Sequence, residues 1–279
     1  MASDSARRGR LLIIGGNERR GTAILARFVE LAGGPAARIV VIAAASLEPD
    51  LLETEYVAEF AGLGAGSVAA LRLTTRDAAN DPGTAAALAA ATGVFLTGGD
   101  QRRLTTILGG TLADTVLQSL VGAGTVVLAG TSAGAAIMSG TMIVGGEGPG
   151  VTTASVQTGP GLEFLPGVLI DMHFAERGRL NRLLSAVALY PHELGLGIDE
   201  DTAILADGDR FEVLGSGSVT VIDAGAASDI RVPAAGPIAL TGARIHVLPA
   251  GYAFELSRRR PSVAVPVAVP VAAERDRAA

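Results

Sequence analysis

The chain contains no cysteine, no tryptophan and no lysine. The missing thiol excludes cysteine nucleophiles, cysteine–zinc sites and disulfides. The missing amine excludes Schiff-base chemistry, a phosphate-loop lysine and a Ser–Lys dyad, because all 22 basic residues are arginine. Histidine is nearly absent as well. His173, His192 and His246 are the only three, so an imidazole general base must be one of them. Charged residues make up 18% of the 279 and hydrophobic residues 49%, which excludes an intrinsically disordered chain. The net charge of −6 gives no basic face for nucleic acid. Met1–Arg10 lacks the apolar stretch of a signal peptide, and no uninterrupted apolar run reaches the roughly 18 residues of a membrane span. A cytoplasmic location without a membrane partner is the expectation.

What is present is an alternation of strand and helix signals. Leu11–Ile14 is an unbroken apolar run ending in Gly15-Gly16, the pattern of a strand buried on both faces. Helical stretches over about 22–32, 49–62 and 82–91 alternate with strands at 38–43, 68–73, 93–97 and 124–130, and further helices follow Gln101 and Ser132. This order predicts an α/β fold with a parallel sheet and crossover helices. After about Ile204 short alternating segments, 210–214, 219–222 and 243–248, predict antiparallel strands at one edge. One domain over 1–257 is expected. From Arg258 onward, prolines at 261, 266 and 270 among Val and Ala predict an extended or disordered tail over 258–279.

Gly130-Thr131-Ser132-Ala133-Gly134 fits G-x-S-x-G between a strand and a helix. A sharp turn there lifts the Ser132 hydroxyl above the sheet, and the small flanking residues let the backbone pass closely. The Ala133 amide, at the helix start, then faces a developing oxyanion. Gly98-Gly99 also follows an apolar strand, and its amides can complete an oxyanion hole, with Gly99 as second donor. In Asp171-Met172-His173-Phe174, an extended backbone puts Asp171 and His173 on one face, just before Arg177, Arg179 and Arg182. Three successive carboxylates, Asp199, Glu200 and Asp201, repel one another and are expected to face different partners. One His beside one Asp is too few ligands for a metal. Two triads remain open. Ser132, His173 and Glu200 form one; Ser132, an acid of 199–201 and His246 form the other, in the chain order of an α/β-hydrolase esterase.

The blocks Gly98-Gly99-Asp100-Gln101, Gly130–Ala135, Asp171–Phe174 with the following arginines, and Gly197–Ala203 occur in the order seen in cyanophycinases, and the chain resembles that family from about Leu11 to Leu248. The resemblance implies a serine peptidase related to peptidase E. It implies a flavodoxin-like sandwich like that of the class I glutamine amidotransferases, usually dimeric, and no metal or organic cofactor. The implied substrate is cyanophycin, polyaspartate bearing Arg on each side-chain carboxyl, and the product β-aspartyl-arginine. Ser132 is then the nucleophile, His173 the base and Glu200 the acid. Gln101, Asp171, Arg177, Arg179 and Arg182 match positions lining the substrate site, with the arginines meeting carboxylates and Asp171 a cationic group. Two departures stand out. Met172 replaces the glutamine common before the catalytic histidine, and Asn17-Glu18-Arg19-Arg20 replaces a Gly-Gly continuation with an acid and lysine. Hydrolysis of another aspartyl peptide, or silent binding of one, are the readings that these departures favour.

Overall fold

The structure is a computed structural model and describes residues 9–19, 23–146 and 148–264. The apolar runs of the first half form a parallel core: β1 (Leu11–Ile14), β2 (Arg38–Ile42), β3 (Ser67–Ala70), β4 (Gly93–Leu96) and β5 (Val127–Thr131). They lie side by side in the order β1-β5-β4-β2-β3. Crossover helices connect them. α1 (Ala23–Leu31) follows β1, α2 (Pro49–Gly62) follows β2, and α3 (Arg76–Ala79) and α4 (Pro82–Ala90) follow β3. α5 (Gln101–Leu108) and α6 (Leu112–Gly122) follow β4, and the short α7 (Ala133–Ala136) follows β5. Side-chain caps start several of these helices; Asp100, for instance, accepts from the Arg102 amide at 2.8 Å and so opens α5.

The second half builds on this core in two directions. Its strands are β6 (Thr141–Gly145), β7 (Gln157–Pro160), β8 (Val168–Met172), β9 (Leu194–Ile198), β10 (Thr202–Asp207), β11 (Arg210–Gly215), β12 (Ser218–Asp223), β13 (Asp229–Arg231), β14 (Ala239–Thr241), β15 (Arg244–Pro249), β16 (Tyr252–Glu255) and β17 (Arg260–Val263), with one long helix, α8 (Leu180–Leu189). β10, β11, β16 and β17 add antiparallel to the β1 edge of the main sheet. β8 and β9 pair in parallel and open a second sheet of order β15-β12-β9-β8. The late alternating segments therefore do not share one edge as expected. The 210–214 segment extends the main sheet, and 219–222 and 243–248 belong to the second.

Because β1 is covered on both sides, its residues alternate between two cores. Leu12 and Ile14 face α1 and α2, where Phe28, Tyr56, Phe60 and Phe95 pack with ring centroids 4.6–5.9 Å apart. Leu11 and Ile13 face the opposite core, which joins the main sheet to the second through Ile170, Leu196 and Val221. α8 packs on the far side of the second sheet through Leu183 and Val187. This layering brings the carboxyl ends of β1, β4 and β5 next to those of β8 and β9.

The expectation for the tail is corrected for its first part. Arg260–Val263 is strand β17, paired with β16. Arg259 ion-pairs with buried Asp223 and donates to the His192 carbonyl at 2.6 Å. The alternation that guided the reading of earlier strands is broken here by Arg and Pro, so the pairing was not visible in sequence. Residues 265–279 lie outside the described residues.

Candidate active site

Ser132 sits where β5 turns into α7, half-buried, with φ 51° and ψ −110°. Only close passage of neighbouring backbone permits this elbow. A Cβ on Gly130 or Gly134 would collide with the backbone of Gly134 or Leu96, respectively. His173 follows the last residue of β8, and Glu200 lies in the tight turn between β9 and β10. Ser132 Oγ and His173 Nε2 are 2.8 Å apart, and His173 Nδ1 is 2.7 Å from Glu200 Oε1. The carboxylate can only accept, so Nδ1 carries the proton and Nε2 is left to accept from the Ser132 hydroxyl. Of the two triads open in the sequence, the structure forms the one through His173. His246 instead lies in β15 with its ring against Phe254, and its buried Nε2 has no hydrogen-bond partner.

The backbone around this relay is strained where it must converge. Six non-glycine residues have positive φ among the described residues, and four of them are Asn17, Ser132, His173 and Asp201. That concentration marks a functional site. Main-chain bonds lock the pieces together: Ser132 N–H donates to Ile14 O (3.1 Å), His173 N–H to Gly15 O (2.8 Å) and Asp201 N–H to Gly16 O (3.0 Å). The Gly98-Gly99 loop borders the serine. A Cβ on Gly98 would lie 3.4 Å from Ser132 Cβ, and Gly99, with φ 141°, is pressed against the Ala45 carbonyl.

The three successive acids face three different partners, as their mutual repulsion requires. Asp199 accepts from the Ala175 amide (3.1 Å) and from both the amide and hydroxyl of Ser218 (3.0 and 2.9 Å), which anchors the loop carrying His173. Glu200 faces His173 on one side and the Asn17 side-chain amide on the other, the latter at 2.7 Å. These two hydrogen bonds, Asn17 first, hold its carboxyl below the usual carboxylate range, with help from the nearby Arg177 charge. Asp201 binds Arg19 through the backbone amide (3.1 Å) and guanidinium (2.9 Å) and accepts from the Ser216 hydroxyl. Burial pushes the Asp201 carboxyl up, but these partners together bring it below its usual value. Sequence reasoning missed Asp199 as an anchor and Asn17 as a partner of Glu200. It also missed buried Glu18, which accepts from Tyr56 and, at 2.5 Å, from Thr131, the residue before the serine. The available signal was an asparagine directly after two glycines, where a left-handed backbone suits it.

The expected substrate-lining residues divide. Arg177 is exposed beside Glu200. Gln101 begins α5 and donates to the Ile143 carbonyl at 3.1 Å. Asp171 is corrected: it is fully buried, and Arg182 grips it with a fork whose Nε–Oδ2 arm is 2.9 Å. Arg179 adds a longer contact to Asp171 at 3.4 Å and donates to the Met172 carbonyl. Arg179 and Arg182 thus both bind Asp171 beneath the site, because an acid buried at a strand end needs an internal cation. Met172 is buried in the hydrophobic core.

A nucleophile elbow, an imidazole relay and a supporting carboxylate on a parallel α/β sheet define a serine hydrolase. Residues 11–214 match peptidase family S51, and the chain belongs to that family of serine peptidases. It is 40% identical over 268 residues to the cyanophycinase of Trichormus variabilis, covering 93% of this chain and 89% of that one. It is 38% identical over 265 residues to the cyanophycinase of Geminocystis herdmanii, covering 92% and 97%. The fold is shared with a peptidase from an acI-B1 Actinobacterium, with TM-score 0.68 at 21% identity over 91% of this chain and 100% of that one. A peptidase E protein from Listeria monocytogenes gives TM-score 0.51 at 18% identity over 75% and 100%.

Proposed function

We propose that the protein is a cyanophycinase-type serine exopeptidase that releases β-aspartyl-arginine from cyanophycin. The observation that carries this reading is the unbroken relay Ser132–His173–Glu200, with links of 2.8 and 2.7 Å. Ser132 Oγ attacks the carbonyl carbon of the scissile aspartyl bond while its proton passes to His173 Nε2. Glu200 stabilises the imidazolium through the Nδ1 proton. The amides of Ala133 and Gly99 receive the oxyanion; each such donor contributes about 3 kcal/mol to transition-state stabilisation. Collapse of the tetrahedral intermediate breaks the C–N bond, and His173 returns the proton to the leaving amine. Water, deprotonated by His173, then hydrolyses the acyl-enzyme and regenerates Ser132.

The cyanophycinases of Trichormus variabilis and Geminocystis herdmanii support the polymer as substrate. Met172 favours a second reading, in which a shorter aspartyl peptide takes its place. Its buried thioether offers no amide donor or acceptor to a substrate. Incubation with purified cyanophycin and a panel of aspartyl dipeptides, followed by mass spectrometry, separates the readings. Release of β-aspartyl-arginine from the polymer supports the first, and cleavage of dipeptides alone the second. No hydrolysis of any of them, with Ser132 unlabelled by a fluorophosphonate, leaves a silent binder.

A further inference from the structure

We propose that Asn17 is a positioning residue of the relay, holding Glu200 in the orientation that His173 requires. The inference rests on the reading of Ser132, His173 and Glu200 as the reacting set. Glu200 is pinned from two directions. Oε1 faces His173 Nδ1 and Oε2 receives the Asn17 amide, both at 2.7 Å. Rotation of the carboxylate breaks both bonds, so the Asn17 bond fixes the carboxylate plane against the imidazole.

The surrounding contacts separate this role from ordinary loop support. The 15–19 segment is attached to the 199–202 turn by groups other than the Asn17 side chain. Asp201 N–H donates to Gly16 O (3.0 Å), Gly15 N–H to Thr202 O (2.9 Å), and Arg19 binds Asp201 twice. Asn17 itself has φ 47°, a conformation that asparagine, aspartate and glycine adopt more readily than other residues. Its amide can therefore be removed without releasing the loop.

The groups facing Glu200 come from three elements. His173, Glu176 and Arg177 lie on the segment after β8, and the Glu200 amide donates to Glu176 Oε2 at 3.2 Å. Asn17 lies after β1, and Arg19 of the same segment is turned to Asp201, the next residue in the turn. Without the Asn17 donor, Glu200 becomes more basic and loses its fixed orientation against the imidazole. The more basic carboxyl moves the acid limb of activity to higher pH.

The test is the pH dependence of the rate at which a fluorophosphonate labels Ser132, measured for wild type, Asn17→Gly and Asn17→Asp. This readout needs no assumption about the peptide substrate. Asn17→Gly keeps the left-handed backbone and removes the amide. It should label about tenfold more slowly near neutral pH, with an acid limb at higher pH and a melting temperature lowered by no more than a few degrees, the share that the lost hydrogen bond carried. Asn17→Asp keeps the shape but sets a carboxylate against Glu200, and should be slower still with a larger displacement. Wild-type rates and limbs in both variants would overturn the proposal, as would a lowered melting temperature with an unmoved limb. Failure of the wild type itself to label would remove the relay reading, and the proposal with it.

Discussion

Gly16 and His173 are built against one another. Gly16 has φ 108°, and a Cβ placed on it would lie 2.6 Å from His173 Nε2 and closer still to Cε1. The second glycine of the early pair is thus the wall that sets the imidazole plane. Gly16→Ala should push the ring away from Ser132 and reduce kcat by roughly a hundredfold or more, as small misplacements of reacting groups do. Strain at the positive φ should also lower the melting temperature by a few degrees. A variant that kept wild-type kcat would show that the ring position is set elsewhere.

The two alternatives for the base separate cleanly. Ser132→Ala and His173→Ala should each reduce turnover by roughly five to six orders of magnitude, and the double variant should be no worse than either. His246→Ala should leave turnover near wild type and act on stability alone, through lost packing on Phe254. Circular dichroism and single-turnover kinetics on the four proteins check this. Comparable loss of turnover in His173→Ala and His246→Ala would contradict it.

Among the neighbouring acids, only Glu200 faces the imidazole. Glu200→Gln should cripple turnover because a neutral amide cannot stabilise the imidazolium, whereas Asp201→Asn should mainly loosen the Arg19 contact. Both carboxyls are held below their ordinary values in the folded protein. Their stabilisation is therefore fully present above the unfolded carboxylate range and is lost as pH falls through the lowered folded values. Melting curves between neutral and strongly acid pH should show a smaller acid-induced decline in Asp201→Asn than in wild type.

Glu193 works in the opposite sense. Burial pushes its carboxyl up despite the Thr141 hydroxyl bond, and Oε2 has no hydrogen-bond partner. A carboxyl raised in the folded state costs stability as pH rises from the ordinary range through the raised value. Glu193→Gln should raise the melting temperature at neutral pH, and the gain should vanish in acid, where Glu193 is protonated. A gain that persisted unchanged in acid would assign the effect to packing.

The tail provides a test of the corrected boundary. Truncation after Ser257 removes β17 and the Arg259 partner of buried Asp223, and should lower the melting temperature by roughly 5 °C or more. Truncation after Ala264 spares both and should leave it unchanged. Equal melting temperatures for the two truncations would show that β17 adds nothing to stability.

The chain's order of elements and its chemical repertoire were legible in the sequence. Apolar runs such as Leu11–Ile14 are visible because a strand buried on both faces is built mainly of apolar residues, and the elbow is visible because close backbone passage requires glycine at 130 and 134. The absence of Cys and Lys narrowed the nucleophile, and three histidines narrowed the base. Tertiary structure alone decided what depends on distant residues meeting. It joined His173 to Ser132 and left His246 in the second sheet, a choice that the alternating pattern of 243–248 does not encode. It turned Asp171 inward onto Arg182, because hydrophobic residues on other elements cover that strand end and an unpaired charge there would be prohibitive. It also assigned Asp199, Glu200 and Asp201 to three partners, with Asn17, more than 180 residues away in sequence, meeting only Glu200. Sequence periodicity reports which face of an element is buried; it carries no information on which side chains from other elements will share that face.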